Sequence, residues 1–94
     1  MFVIISVHRV KPDQESLMID SMRRYGAAAR SAGGVREIHT LKDERSGALL
    51  GLAIWESKEA YEAAGPALME AVEGDDFDAW HEEQWQSYHC SVIG

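Results

Sequence analysis

Residues 2–10 contain Val3, Ile4, Ile5, Val7 and Val10, and residues 48–55 read Ala-Leu-Leu-Gly-Leu-Ala-Ile-Trp. Successive side chains of an extended chain point to opposite faces, so both segments read as strands that are apolar above and below. Strands of that kind need cover on each side. A chain of 94 residues has material for one layer of helices against its sheet. The other face then calls for a second copy of the same sheet, and a homodimer is the expectation.

Pro12 and Asp13 stop the first strand and offer a helix cap. Leu17, Met18, Met22, Tyr25, Ala29 and Ala32 then recur at helical spacing, which predicts a helix over 13–31. Gly33 and Gly34 close it. Val35, Ile38 and Leu41 mark a second strand over 35–42, and a turn at 43–47 leads into the third over 48–55 as an antiparallel hairpin. Ser57 caps the next helix, with Ala60, Tyr61, Ala64, Leu68 and Val72 among its apolar positions. Pro66 after Gly65 predicts a kink or split within 64–67. Residues 74–78 read as a connection and 85–93 as a last strand. The order β-α-β-β-α-β is ferredoxin-like α+β: a four-stranded antiparallel sheet with both helices on one face, in one domain over residues 1–94.

Hydrophobic residues make up 46% of the chain and charged ones 27%, a globular balance that excludes disorder. The formal charge of −7 is divided into about +2 over residues 1–47 and −9 over 48–94. An acidic half of that size repels phosphate backbones and anionic lipid, so neither a nucleic acid nor a membrane surface is an expected partner. No segment reaches the roughly 20 apolar residues of a membrane span. The first strand follows no basic leader and so does not read as a signal peptide, and the lone Cys90 excludes an intrachain disulfide; a cytoplasmic address is the expectation.

No bound cofactor or metal is expected from local motifs. Gly33-Gly34 follows a helix, where a dinucleotide motif would open one. His8, His39, His81 and His89 have no short ligand spacing, and His89 and Cys90, as strand neighbours, point apart. Asp75, Asp76 and Asp78 complete no calcium loop.

A β-branched first strand leading to Lys11-Pro12, the Gly33-Gly34-Val35 entry to strand 2, and Trp55-Glu56-Ser57-Lys58-Glu59-Ala60-Tyr61 after strand 3 together resemble the antibiotic-biosynthesis-monooxygenase family of dimeric α/β-barrel proteins. The resemblance implies two four-stranded sheets joined face to face, with a pocket in each subunit between sheet and helices. It also implies, among the family's activities, cofactor-free oxygenation of quinol-like or polyphenolic substrates. The haem-degrading branch carries an asparagine, a tryptophan and a histidine where this chain has, by approximate registration, His8, Ala63 and residues near Glu73. Haem degradation is therefore not the expectation.

His8 shares an alternation face with Ile4, Ser6 and Val10 and presents an imidazole from an otherwise apolar wall, where it suits proton transfer. Tyr25 and Tyr61 lie on the helices and offer phenol hydroxyls to a planar ligand, although a tyrosine in an apolar stripe is more often a core ring. In the oxygenase that the resemblance implies, His8 accepts a proton, Tyr61 and Tyr25 orient a substrate oxygen, and Trp55 and Ser6 contact a small aromatic substrate. The alternatives from sequence are an uncatalytic barrel that binds a small apolar ligand, and an isomerase or decarboxylase on the same fold.

Overall fold

Strand β1 (Phe2–His8) lies inside the sheet because its two neighbours, distant in sequence, pair with it from either side. On one side is β3 (Leu49–Trp55), with Ile4 opposite Ala53; on the other is β4 (Gln86–Ser91), with Ile4 opposite His89. Strand β2 (Val35–Lys42) pairs with β3, giving the order β2-β3-β1-β4, antiparallel throughout. This is the ferredoxin-like α+β arrangement, and the computed structural model describes it over residues 1–94.

Helices α1 (Glu15–Ala32) and α2 (Lys58–Ala71) cover one face of the sheet. Register places Ile4, Ser6 and His8 of β1, Gly51 and Ala53 of β3, Ile38 and Thr40 of β2, and Ser87 and His89 of β4 on that face. The core gathers there: Phe2, Ala29, Ala53, Trp55, Ala64 and Leu68 form one buried cluster. Small residues let the layers approach. Gly34, at φ 86°, sits where a Cβ would stand 2.8 Å from the Ala60 Cβ, so the turn after α1 tolerates no side chain. No helix is long and apolar enough to cross a membrane.

Three local expectations change. Asp13 does not cap α1; a 3-10 turn over Pro12–Gln14 precedes the helix, whose N-cap is Gln14, without a side-chain hydrogen bond. Pro66 does not split α2, which runs unbroken from the Ser57 cap, where Ser57 Oγ accepts from the Ala60 amide at 3.0 Å. The proline is exposed, so the Glu62 carbonyl that loses its helical donor faces water, while Ala64 and Leu68 anchor the opposite side. The acidic connection also contains a short helix α3 (Phe77–Trp80), with Asp76 Oδ1 accepting from the Ala79 amide.

Candidate functional site

Between the sheet and the helices lies a cavity of about 280 Å³ whose 19 lining residues include 12 hydrophobic ones. That is close to the lower end of small-molecule sites. His8, Ser6, Tyr25 and Tyr61 all line it, from β1, α1 and α2. Gly51 helps form its floor: a Cβ there would stand 2.5 Å from Ser6 Oγ, so glycine leaves the room that the serine hydroxyl occupies.

Trp55 does not wall the cavity. It is wholly buried in the core, edge-on to Tyr61 with ring centroids 5.6 Å apart, and its indole N–H has no hydrogen-bond partner. A residue at the end of β3, beneath the entry to α2, packs against Gly34 and α2 before it can reach the open space. The tryptophan that does line the cavity is Trp85, stacked on the His8 ring at 6.4 Å and 5.3 Å from the Phe77 ring.

Local pattern gives no hint of His81, which completes the polar side of the site. The β1/β4 register, continued without interruption, would place Glu83 opposite Val10; residues 82–85 make an excursion instead, and a lone bridge joins Val10 to His81. Backbone bonds from the Lys11 amide to the Trp80 carbonyl and from the Glu82 amide to the Arg9 carbonyl, both short, fix that juncture. His81 thus meets His8 across 73 residues of sequence. A long-range pairing with a broken register leaves no periodic signal.

The three polar side chains form a directed chain. His81 Nδ1 lies 2.6 Å from the Phe77 carbonyl, which can only accept, so Nδ1 carries the proton and a neutral His81 offers Nε2 as an acceptor. His8 Nδ1 then donates to it at 2.8 Å, which leaves the lone pair of His8 Nε2 to accept from Ser6 Oγ at 3.0 Å. His8 is 5% exposed and His81 6%. Burial, and then the adjacent His81, lower the His8 pKa to about 4, well under the neutral range that an open strand histidine would have. The ring is therefore uncharged at neutral pH. Tyr25 moves the other way: burial and then Tyr61 push its phenol up to about 12, so it stays a hydrogen-bond donor.

No three His, Cys, Asp or Glu side chains come together in a metal-binding arrangement. His39 pairs with Glu37 at 3.2 Å, and His89 packs edge-on against Phe2 and Tyr61.

Fold and cavity together define a ferredoxin-like α+β protein with a ligand-sized, histidine-bearing chamber under its helices. No family model and no curated protein sequence matches the chain. Solved structures do. Rv0793 from Mycobacterium tuberculosis superposes with a TM-score of 0.82 at 14% identity, over 99% of this chain and 95% of the other. PA3566 from Pseudomonas aeruginosa gives 0.78 at 14% identity, over 99% and 94%. An antibiotic biosynthesis monooxygenase gives 0.79 at 12% identity, over the full length of both chains. The chain thus has the fold found in the antibiotic biosynthesis monooxygenases, as its sequence resemblance implied.

Proposed function

We propose that this protein is a cofactor-independent monooxygenase for a small quinol-like or phenolic aromatic, working as a homodimer. The observation that carries the reading is the Phe77–His81–His8–Ser6 chain, which leaves His8 Nε2 unprotonated and capped by the Ser6 hydroxyl at the wall of an apolar cavity.

The substrate hydroxyl hands its proton to His8 Nε2, directly or through Ser6 Oγ. His8 alone, with a pKa of about 4, is a weak acceptor, but the substrate anion forming beside it supplies the opposite charge that the empty site lacks and raises its basicity. His81 shares the positive charge through Nε2. The electron-rich anion reduces dioxygen by one electron, and the radical pair joins at a ring carbon to give a peroxide anion, which takes the proton held at His8 to become the hydroperoxide. His8 then removes the C–H proton as the O–O bond breaks, leaving a carbonyl and hydroxide, and returns that proton to the hydroxide to make water. One oxygen atom ends in the product and the other in water. The phenol hydroxyls of Tyr25 and Tyr61 donate to the substrate oxygens.

Oxygen uptake with a panel of quinols and naphthols, in the absence of added flavin or metal, tests this. His8→Asn keeps a polar group but cannot accept a proton near neutral pH, and turnover should fall by about 10²-fold or more. Equal rates would overturn the base assignment. The proton relay is not specific to oxygen, so an isomerase or decarboxylase would use it equally; product formed in anaerobic buffer would identify that alternative.

A further inference from the structure

A second cavity, of about 370 Å³, lies between α1 and β2. It shares Met22, Ile38, His39 and Thr40 with the His8 cavity, so the two are neighbouring chambers divided by those residues. The character differs. Arg23, Arg30 and Lys42 line the second chamber, and no Asp or Glu does.

Three cations without a carboxylate among them are unusual for a chain with a formal charge of −7. Outside the groove Arg9 is matched with Glu83, Arg24 with Asp20 and Asp75, and Lys58 with Glu62, while Lys11, Arg36 and Arg45 form no ion pair and line neither cavity. Lys42 is matched too, by Glu15 at 3.0 Å from outside the lining. Arg23 and Arg30 have no ion-pair partner, and Arg30 is held across the groove by its Nη2 donating to the Ile38 carbonyl at 3.1 Å. The chamber's apolar residues, Ile19, Met22 and Leu49, suit a short run of methylenes.

We infer that this groove binds a carboxylate carried on a short alkyl arm of the ligand whose aromatic body occupies the His8 cavity. The inference rests on the aromatic-ligand reading above and narrows it from aryl alcohols to hydroxyaryl alkanoic acids. A planar guanidinium meets a carboxylate through two parallel N–H donors, which is why the two unpaired arginines define the site and the already paired Lys42 only adds to its field. Long-range repulsion from the acidic half of the chain makes a local cationic groove the requirement for holding any anion here.

The test is calorimetric titration of the full chain with a 4-(hydroxynaphthyl)butanoate and with its methyl ester, in low salt and without oxygen turnover. The acid should bind about 2- to 5-fold tighter than the ester, an exposed charge pair being of that size. In the Arg23→Gln/Arg30→Gln double variant this ratio should fall to near one with the ester's affinity unchanged, and unchanged ester binding also certifies the fold. An acid-to-ester ratio near one in the native chain, or a preference that survives in the double variant, overturns the inference. Failure of both compounds to bind overturns it together with the aromatic-ligand reading. An acid preference without oxygen consumption leaves this inference standing and removes the oxygenase.

Discussion

His8 sits where its protonation state is coupled to the fold. Its pKa in the folded chain is about 4, against 6.5 for an unhindered histidine, so between those values the unfolded chain binds a proton that the native one does not. Stability from this group is fully present above pH 6.5 and is lost as the pH falls toward 4. The groups that face the ring are His81, Ser6 and the stacked Trp85, with the Tyr25 and Tyr61 phenols lining the same cavity. Between pH 7 and pH 5 the His8 contribution should fall by about 2 kcal/mol. Urea titrations should show native stability dropping by that amount more than in His8→Asn, and parallel losses in the two proteins would show that His8 does not carry the effect. Alternation along β1 and helical spacing in α1 and α2 placed Ser6, His8, Tyr25 and Tyr61 correctly on the cavity side. The approach of His81 and Trp85 to His8 is not legible, because what brings them there is a register break after a long excursion. Trp55 was misplaced because its type suggests a large ring but not whether helix α2 will close over it.

At the scale of elements, β-branched runs, glycine pairs and the Ser57 cap specified nearly every strand and helix, since each acts within a few residues. The split expected at Pro66 does not occur, because the rule against proline inside a helix describes an isolated segment, whereas here Ala64 and Leu68 bury on the sheet side and the lost hydrogen bond faces water. The acidic stretch after α2 also reads as an ordinary loop, yet it is clasped. Asp75 accepts from Arg24 Nη2 at 3.0 Å on both oxygens and from the buried Ser21 hydroxyl at 2.6 Å, and Arg24 Nη1 donates to the Ala71 carbonyl at 2.6 Å. Asp75 and Asp20 raise the Arg24 pKa further, so the clasp stays charged. It pins α1 to the segment that carries Val72 and Phe77, which close one end of the His8 cavity. Asp75→Ala strands the Ser21 hydroxyl and should cost about 1–3 kcal/mol. Arg24→Ala should cost less, because its guanidinium is partly solvated. Amide exchange in residues 72–80 should quicken in both variants, and a double-mutant cycle should show that the two losses are coupled. Additive losses with unchanged exchange would reduce the clasp to a surface pair.

The whole molecule is a slab of 35 × 32 × 18 Å, with one layer of helices on one sheet. Only 13 of its 94 residues are buried, a small core for a chain that is 46% hydrophobic. The missing burial lies on the helix-free face. Alternation sends Val3, Ile5 and Val7 of β1 and Leu50, Leu52 and Ile54 of β3 to that side, and all six are only partly covered. Leu41 of β2 and Tyr88 of β4 flank them, 41% and 47% exposed. A continuous apolar face across four strands has the width of a sheet, and another copy of the same face matches it in shape and polarity, which is the basis of the proposed dimer. Light scattering at micromolar concentration should therefore give about twice the 10.5 kDa chain mass. Ile5 stands in the middle of the patch, opposite Leu52 and Tyr88, so Ile5→Lys places two charges near the twofold centre of such a dimer. That variant should run as a monomer, less stable than the native protein by several kcal/mol, because a desolvated unpaired ammonium in the interface is costly and the dimer's burial is lost with it. Lys11→Glu, on the exposed connection after β1, serves as a control that changes charge without touching the face and should remain dimeric. A native chain that scatters as a monomer, or an Ile5→Lys protein that stays dimeric with undiminished stability, would show that the helix-free face is not where two copies meet.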